Sequence, residues 1–415
     1  MINNHFKTAW RNLWKNRIFS FINILGLTVG LTSFILVALY IFDELTFDRA
    51  HQNAETIYRV VESKTSSEGK TTKGAATGFQ VSARAKTEVP EVRDAARLSV
   101  FWNANVASGD SRTKIFQEDF ITANPGFLTV FSFPLLYGDR SSALTDPKSI
   151  VLTEATAKKF FGKSDVVGKL LFFDNDSVPY RVTGVLANFP VNSSLFFDLV
   201  ASEASLLINP EAKNWLAHDW NSGAFATYLL VKPGTDVTGL NSKLDQLIAA
   251  NHKADAGEKS HVQLQALKDV HFYSNEIQGD SGKKGNISYI YVFLIVACFI
   301  IFIACINYMN LSTARFTNRG KEIAIRKVSG ASRTSLVKQF LSEALLVTIL
   351  SVVLSVVLVN LLLPLFNLFT EKHLTLNLHT DDRIWTGVFS IVVVVTLLAG
   401  LYPALFQSGL NPLSL

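Results

Sequence analysis

The stretch that comes nearest to a catalytic motif is AKKFFGKS, residues 157–164. A phosphate-binding loop needs G-x-x-x-x-G-K-[ST], so that successive backbone amides wrap the phosphates. Here Ala157 holds the first glycine position, and the segment reads instead as the end of a helix stopped by Gly162. The eight histidines are scattered, with neither H-E-x-x-H nor a Cys/His cluster at metal-ligand spacing. His218 and Asp219 are a lone pair in a loop-like stretch, and no G-x-S-x-G elbow offers a nucleophile. These patterns predict no catalytic residue, no cofactor and no metal site.

The residues that do stand out are basic. ARFTNRGKEIAIRKVSGASRTSLVKQF, residues 314–340, carries seven Lys and Arg with Glu322 as its only acid. Placed on a helix over 315–328, Arg315, Arg319, Glu322 and Arg326 fall on one stripe, and Ala324, Ile325 and Val328 on the opposite face. Gly330 suits a C-terminal stop, and Ser332 suits the N-cap of a following helix through Leu336 and Phe340. Short amphipathic helix, sharp turn and new helix together would make a shaped surface. The same charge also suits a topology signal, or a patch for anionic membrane lipids.

The elements around this segment are apolar. Four runs, Ile18 to Phe42, Ile287 to Leu311, Leu341 to Leu368 and Ile384 to Phe406, each approach or exceed the roughly 20 residues that span a bilayer, and charges are nearly absent from them. The first is too long for a signal-peptide core and lacks an A-x-A-like site before Asp43 and Glu44, so it reads as an uncleaved anchor. Residues 1–17 hold four basic residues and no acid, whereas 369–383 holds Lys372 and Arg383 against three acids. The positive-inside rule therefore puts both termini and the 314–340 loop in the cytoplasm, with 43–286 and 369–383 outside. Residues 43–286 carry 26 basic against 29 acidic side chains, so the net charge of +5 belongs to the inner face and does not imply nucleic acid. Cys298 and Cys305, the only cysteines, are too far apart along one helix for a disulfide, so the outer region folds without one. Glu343 is read as an end-charge at the start of the third span. Gly26 and Gly30 form a small-xxx-small step on which another helix can pack closely.

Residues 43–286 read as mixed α and β. Ile57 to Glu62, Gly78 to Val89 and Ala96 to Phe101 form strand, helix and strand. Ala226 to Lys232, Val237 to Asn251 and Val262 to Leu267 repeat the pattern. The two halves suggest a ferredoxin-like module interrupted by an insertion at about 102–224. The insertion has a short strand at 149–152, a helix at 153–161, and a hairpin of Lys169 to Phe173 with Tyr180 to Leu186.

Several of these stretches resemble the ABC permease subunits of MacB, LolC/LolE and FtsX type. They are FKTAWRNLWKNRIFSFINILGLTVGL (6–31), SIVLTEATAKKFFGKSDVVGKLL, YRVTGVLANFPVNSSLFFD, the segment 314–346, and GLYPAL (400–405). TFDRAHQNAETIYRV and the Asn-Phe-Pro at 188–190 are similar to double-length members. A half-length subunit, a truncated reading frame and the first half of a longer permease all fit. The resemblance implies an α-helical membrane protein of the bacterial inner membrane with four transmembrane helices and a large α+β extracytoplasmic domain. In it residues 1–42 are the N-terminus and first span, and 43–286 the core domain. The core has a ferredoxin-like porter part (about 43–101 and 225–286) and a sabre-like insertion (about 102–224), and 287–415 are the permease domain. It further implies a separate cytoplasmic ABC ATPase, a second permease copy or half, and a periplasmic adaptor or other outer partner. The chain itself would lack an ATPase site. Lys321, Glu322, Ile323, Ala324, Ile325, Arg326, Lys327, Val328, Gly330 and Ser332 would form the coupling segment that docks on the ATPase. The work driven would be export or mechanotransmission, the alternative being FtsX-type signalling without transport.

Overall fold

In lipid a backbone must satisfy its own hydrogen bonds, which leaves a long apolar run little choice but helix. The computed structural model describes residues 11, 14, 17–99, 102–108, 115–173, 178–189, 192–251, 259–280, 282–314, 325, 327–328, 330, 332–376 and 382–409. Four of its helices are long and apolar enough to cross a membrane: Arg17–Leu45, Ile287–Ala314, Arg333–Thr370, and Ile384–Phe406 within Asp382–Gly409. The third begins eight residues earlier than hydropathy alone suggests, because Ser332 caps it and its polar first turns continue the same helix. Glu343 therefore lies in the third turn rather than at the helix start, beyond the reach of the N-terminal dipole, and the end-charge reading of it is corrected. Pro364 and Pro403 sit inside the third and fourth helices, as neighbouring helices permit in membranes.

The chain divides into two compact units, Met1–Leu45 with Ser288–Leu415, and Thr46–Ile287. In the helical unit a core of Leu27, Leu31, Ala304, Ala344, Val395 and Ala399 joins all four spans. Small residues set the approach distances. A Cβ on Gly30 would stand 2.6 Å from Ala304 Cβ and one on Gly26 3.0 Å from Asn307 Nδ2, both in the second span. A Cβ on Gly400 would stand 2.7 Å from Ala344 Cβ in the third. Cys298 and Cys305 are free thiols.

The second unit is built on one branched sheet. Its strands are β1 (Ile57–Thr65), β2 (Thr71–Gly74), β3 (Ala76–Thr77), β4 (Val92–Ser99), β5 (Trp102–Ser108), β6 (Ile115–Ala123) and β7 (Leu135–Gly138). They continue with β8 (Ser149–Thr153), β9 (Leu170–Phe173), β10 (Tyr180–Leu186), β11 (Leu199–Ser202), β12 (Phe225–Val231), β13 (Lys259–Ala266) and β14 (Ile277–Gln278). Helices α1 (Phe79–Glu88), α2 (Gly126–Val130), α3 (Glu154–Phe161), α4 (Pro210–Leu216), α5 (Val237–Asn251) and α6 (Leu267–Tyr273) join them.

At one end β4, β12, β1 and β13 lie side by side and antiparallel. The first β-α-β passes through α1 and the second through α5, and both helices pack on Val60, Leu229 and Leu264. The strand expected from Ala96 to Phe101 lies earlier, at Val92–Ser99, because Val92, Ala95 and Ala96 are all buried in the sheet. On β13, the amides of Val262 and Leu264 donate to Asp245 Oδ1 (2.8 Å) and Asn241 Oδ1 (2.9 Å) of α5. Those side chains occupy donors that an exposed edge would offer to another strand.

The intervening strands close on themselves. β5 pairs β6, β6 pairs β11, β11 pairs β8, β8 pairs β10, β10 pairs β9, and β9 pairs β5. This six-stranded ring has no free edge of its own, and Val106, Ile150, Leu152, Leu171, Val182 and Leu199 belong to its core. The expected pairing of 170–173 with 180–186 is one of its joints. Helix α3 follows β8 and, through β9, leads to the parallel strand β10. The Thr153 side chain caps it by accepting from Thr156 N, and Gly162 ends it at φ 72° with its amide on Lys158 O. AKKFFGKS is thus a capped helix end. A third core, around Phe127, Leu128 and Phe131, packs between the ring strands and the face of β1, β4 and β12 opposite α1 and α5.

Candidate functional site

Of the basic segment, Lys321, Glu322, Ile323, Ala324 and Arg326 lie outside the described residues, as do Arg315 and Arg319 of the expected stripe. Ile325, Lys327 and Val328 are helical. Gly330 forms the turn: its amide donates to Lys327 O at 3.0 Å, and its φ of 92° is a conformation that favours glycine. Ser332 then starts the third span, its side chain accepting from Ser335 N at 3.3 Å. One residue on, Arg333 begins the helix proper.

This turn is fastened to the end of the fourth span. Lys327 Nζ donates to Ser408 O at 2.8 Å and Arg333 Nε to Ser408 Oγ at 3.4 Å. Two cations thus meet the C-terminal turn of a helix, where unpaired carbonyls and the dipole favour positive charge. Beneath them Leu336 and Phe340 pack on Ala404, within the GLYPAL stretch. Ile325 and Val328 remain 67% and 80% exposed. Two apolar side chains therefore face outward from a turn whose other side is fixed by Lys327. Sequence reading missed Ser408, because the main function of that residue here is its backbone carbonyl, which no side-chain pattern advertises.

A second constellation closes the other end of the first span. Lys372, in the short loop after the third span, donates to Asp43 Oδ2 at 2.8 Å and pairs with Glu44 Oε1 at 2.5 Å. Burial opposes the Lys372 ammonium, but the two carboxylates together outweigh it and hold its pKa above the ordinary lysine value.

In the other unit, two stretches that carried the resemblance come together. Asp48, in a left-handed backbone conformation (φ 58°), accepts from Ser194 N at 2.7 Å and from the hydroxyls of Ser193 and Ser194. Asp48 N donates to Asn192 O, and Asn192 Nδ2 to Thr46. Burial raises the Asp48 pKa despite these bonds. Farther in, the fully buried Arg59 binds Asp280 at 2.9 Å, Gln265 at 2.7 Å and Ser274 at 2.8 Å, and burial pushes Tyr228 up to about 12. These are internal locks that hold the fold together. Among the described residues no group of His, Cys, Asp and Glu could hold a metal.

The four long apolar helices, a large mixed α/β unit between the first two, and a fastened turn between the second and third define a multi-pass membrane protein with a large extramembrane domain. The family described as the MacB-like periplasmic core domain matches residues 20–247, and the chain belongs to it. The FtsX-like permease C-terminal family matches residues 294–412, so the chain is an ABC transporter permease of the MacB/FtsX type whose extramembrane domain is periplasmic. The macrolide export ATP-binding/permease protein MacB of Escherichia coli is 26% identical over 227 residues, 54% of this chain and 32% of that protein. A MacB of Shewanella is 22% identical over 98% of this chain and 59% of that protein. The ABC transporter permease YknZ of Bacillus subtilis is 24% identical over 55% of this chain and 52% of its own length. The chain thus spans about a third to three fifths of the curated relatives it matches. A solved permease domain from Porphyromonas gingivalis covers 52% of this chain and 92% of that chain, at 23% identity and a TM-score of 0.46.

Proposed function

We propose that this chain is the permease that a separate cytoplasmic ABC ATPase moves, and that residues 321–332 are the ATPase's handle. The observation carrying this reading is the exposed pair Ile325 and Val328 on a turn that Lys327 fastens to Ser408. An apolar contact flanked by cations, tied to the ends of two membrane helices, passes a push to both helices rather than flexing alone. Both termini and this turn face the cytoplasm of the inner-membrane system, and the 46–287 unit stands in the periplasm. There the four antiparallel strands with α1 and α5 act as a ferredoxin-like porter part, and the ring of six strands as the inserted sabre-like part. The strand order β4-β12-β1-β13 and the closure of the ring support that division. A second permease copy or half completes the membrane assembly, with an outer partner at the periplasmic side. The work done is export or mechanotransmission.

The test is the double substitution Ile325→Asp with Arg326→Glu. Membrane insertion and thermal stability should stay unchanged, while co-purification of the ATPase falls at least about tenfold, as for loss of a central interface contact. Undiminished co-purification, with normal function, contradicts the assignment of 321–332.

A further inference from the structure

Ser351 and Ser355 lie one helical turn apart on the third span, both fully buried. Ser351 Oγ donates to Ile24 O at 3.3 Å and Ser355 Oγ to Thr28 O at 3.0 Å. The acceptors are also one turn apart, and each donor stands 327 residues after its acceptor. Two parallel spans are therefore in register, with one hydroxyl-to-carbonyl contact per turn.

The Ser355 hydroxyl has a single proton and a second acceptor, Ser351 O, 2.7 Å away in its own helix. It can leave Thr28 without becoming an unpaired buried donor, the costly outcome in a low-dielectric interior. Thr28 O, for its part, also accepts from Thr32 Oγ1 at 2.7 Å, so it is not stranded when Ser355 withdraws. One turn to either side the first span has buried Ser20 and Thr32, so the small polar strip continues past the present contacts. Thr28 Oγ1 and Thr348 Oγ1 are buried without a hydrogen-bond partner, which leaves donors to spare on both sides of the interface.

From this juxtaposition we propose that the first and third spans form a slip joint. The first span shifts along the third by four residues, about 6 Å, and Ser351 and Ser355 re-form their bonds with Ser20 and Ile24. This direction carries Gly26 to the place of Gly30 beside Ala304 and opens the Lys372 pairs with Asp43 and Glu44. Whole-turn shifts of one packed element past another are a known form of switching. The use of the joint in transmitting ATPase motion rests on the function proposed above; its existence does not.

Cysteine pairs in the full chain test it, in membranes, on a Cys298→Ser, Cys305→Ala background. The offset of 327 puts Thr32 beside Val359, so Thr32→Cys with Val359→Cys reports the present register and confirms an assembled bundle. Thr28→Cys with Val359→Cys reports the shift, and Leu36→Cys with Val359→Cys, which would need Phe34 in the place of Gly30, should stay unreactive. The shifted pair should cross-link at a tenth or more of the in-register yield. Ser351→Ala with Ser355→Ala should lower that fraction several-fold, and Ser351→Thr with Ser355→Thr, which keep the hydroxyls, should restore it. A shifted pair no more reactive than a cysteine at exposed Val353 paired with Thr28→Cys overturns the joint, as does a shifted fraction indifferent to the alanine substitutions. A shifted fraction that behaves as expected but ignores the ATP-loaded partner leaves the joint standing and counts against the coupling function alone.

Discussion

His51 shows how a single buried group writes a pH dependence into the periplasmic unit. Its ring sits 4.7 Å from Phe133 and 5.4 Å from Phe131, and burial lowers its pKa from 6.5 to about 4. The native histidine stays neutral while the unfolded one takes up a proton. Stability from this site is therefore complete above about pH 6.5 and is lost as pH falls toward 4, by about 3 kcal/mol in all. His51→Phe, which keeps an aromatic ring among the phenylalanines, should flatten the fall in unfolding temperature between those pH values. An unaltered acid slope would show that His51 is not its source. At this scale the sequence was only partly legible. TFDRAHQNAETIYRV and VNSSLFFD stand out as strings, but that Asp48 of one accepts from Ser193 and Ser194 of the other depends on a contact across 146 residues. No local pattern encodes such a contact.

At the scale of elements, helices were the most legible because their signals are local. The four spans follow from uninterrupted apolar length, and Val237–Asn251 from apolar residues repeating on one face, since Leu240, Leu244 and Ile248 are all buried. The stops at Gly162 and Gly330 follow from the left-handed backbone each adopts. The six-stranded ring was not legible: its closing contact is the parallel pairing of β11 with β6, and parallel partners need share no turn or short loop. The helix of the third span was legible from its cap, since Ser332 marks the start of a helix through Leu336 and Phe340 and that helix begins at Arg333, whereas hydropathy alone sees only its apolar part from Leu341. Gly26 and Gly30 were visible as a spacing, and the second span is the neighbour they admit. Gly30→Ile, forced against Ala304, should destabilise the helical unit by about 1–3 kcal/mol, read as a lower unfolding temperature in detergent. The exposed Val353→Ile should have no such effect. Equal stability of the two variants would mean that the spans do not meet at Gly30 as described.

For the whole molecule the charge distribution and the fold point the same way. Basic residues concentrate in residues 1–17 and in the 314–340 loop, and the periplasmic unit is slightly acidic, a distribution of the kind the positive-inside rule describes. Its described buried ion pairs and hydrogen-bond locks hold elements together, whereas the apolar surface at Ile325 and Val328 is presented outward. A permease driven from the cytoplasm needs that combination: a fixed contact point at one end, and helices that carry displacement to the other. The most direct measurement places a photo-reactive amino acid at Val328 and, as a control, at Phe389, exposed within the fourth span, in cells that contain the ATPase partner. Docking at the turn predicts an ATPase adduct from position 328 and none from 389. An absence of ATPase adducts from 328, with the permease at normal levels and the system active, would contradict it.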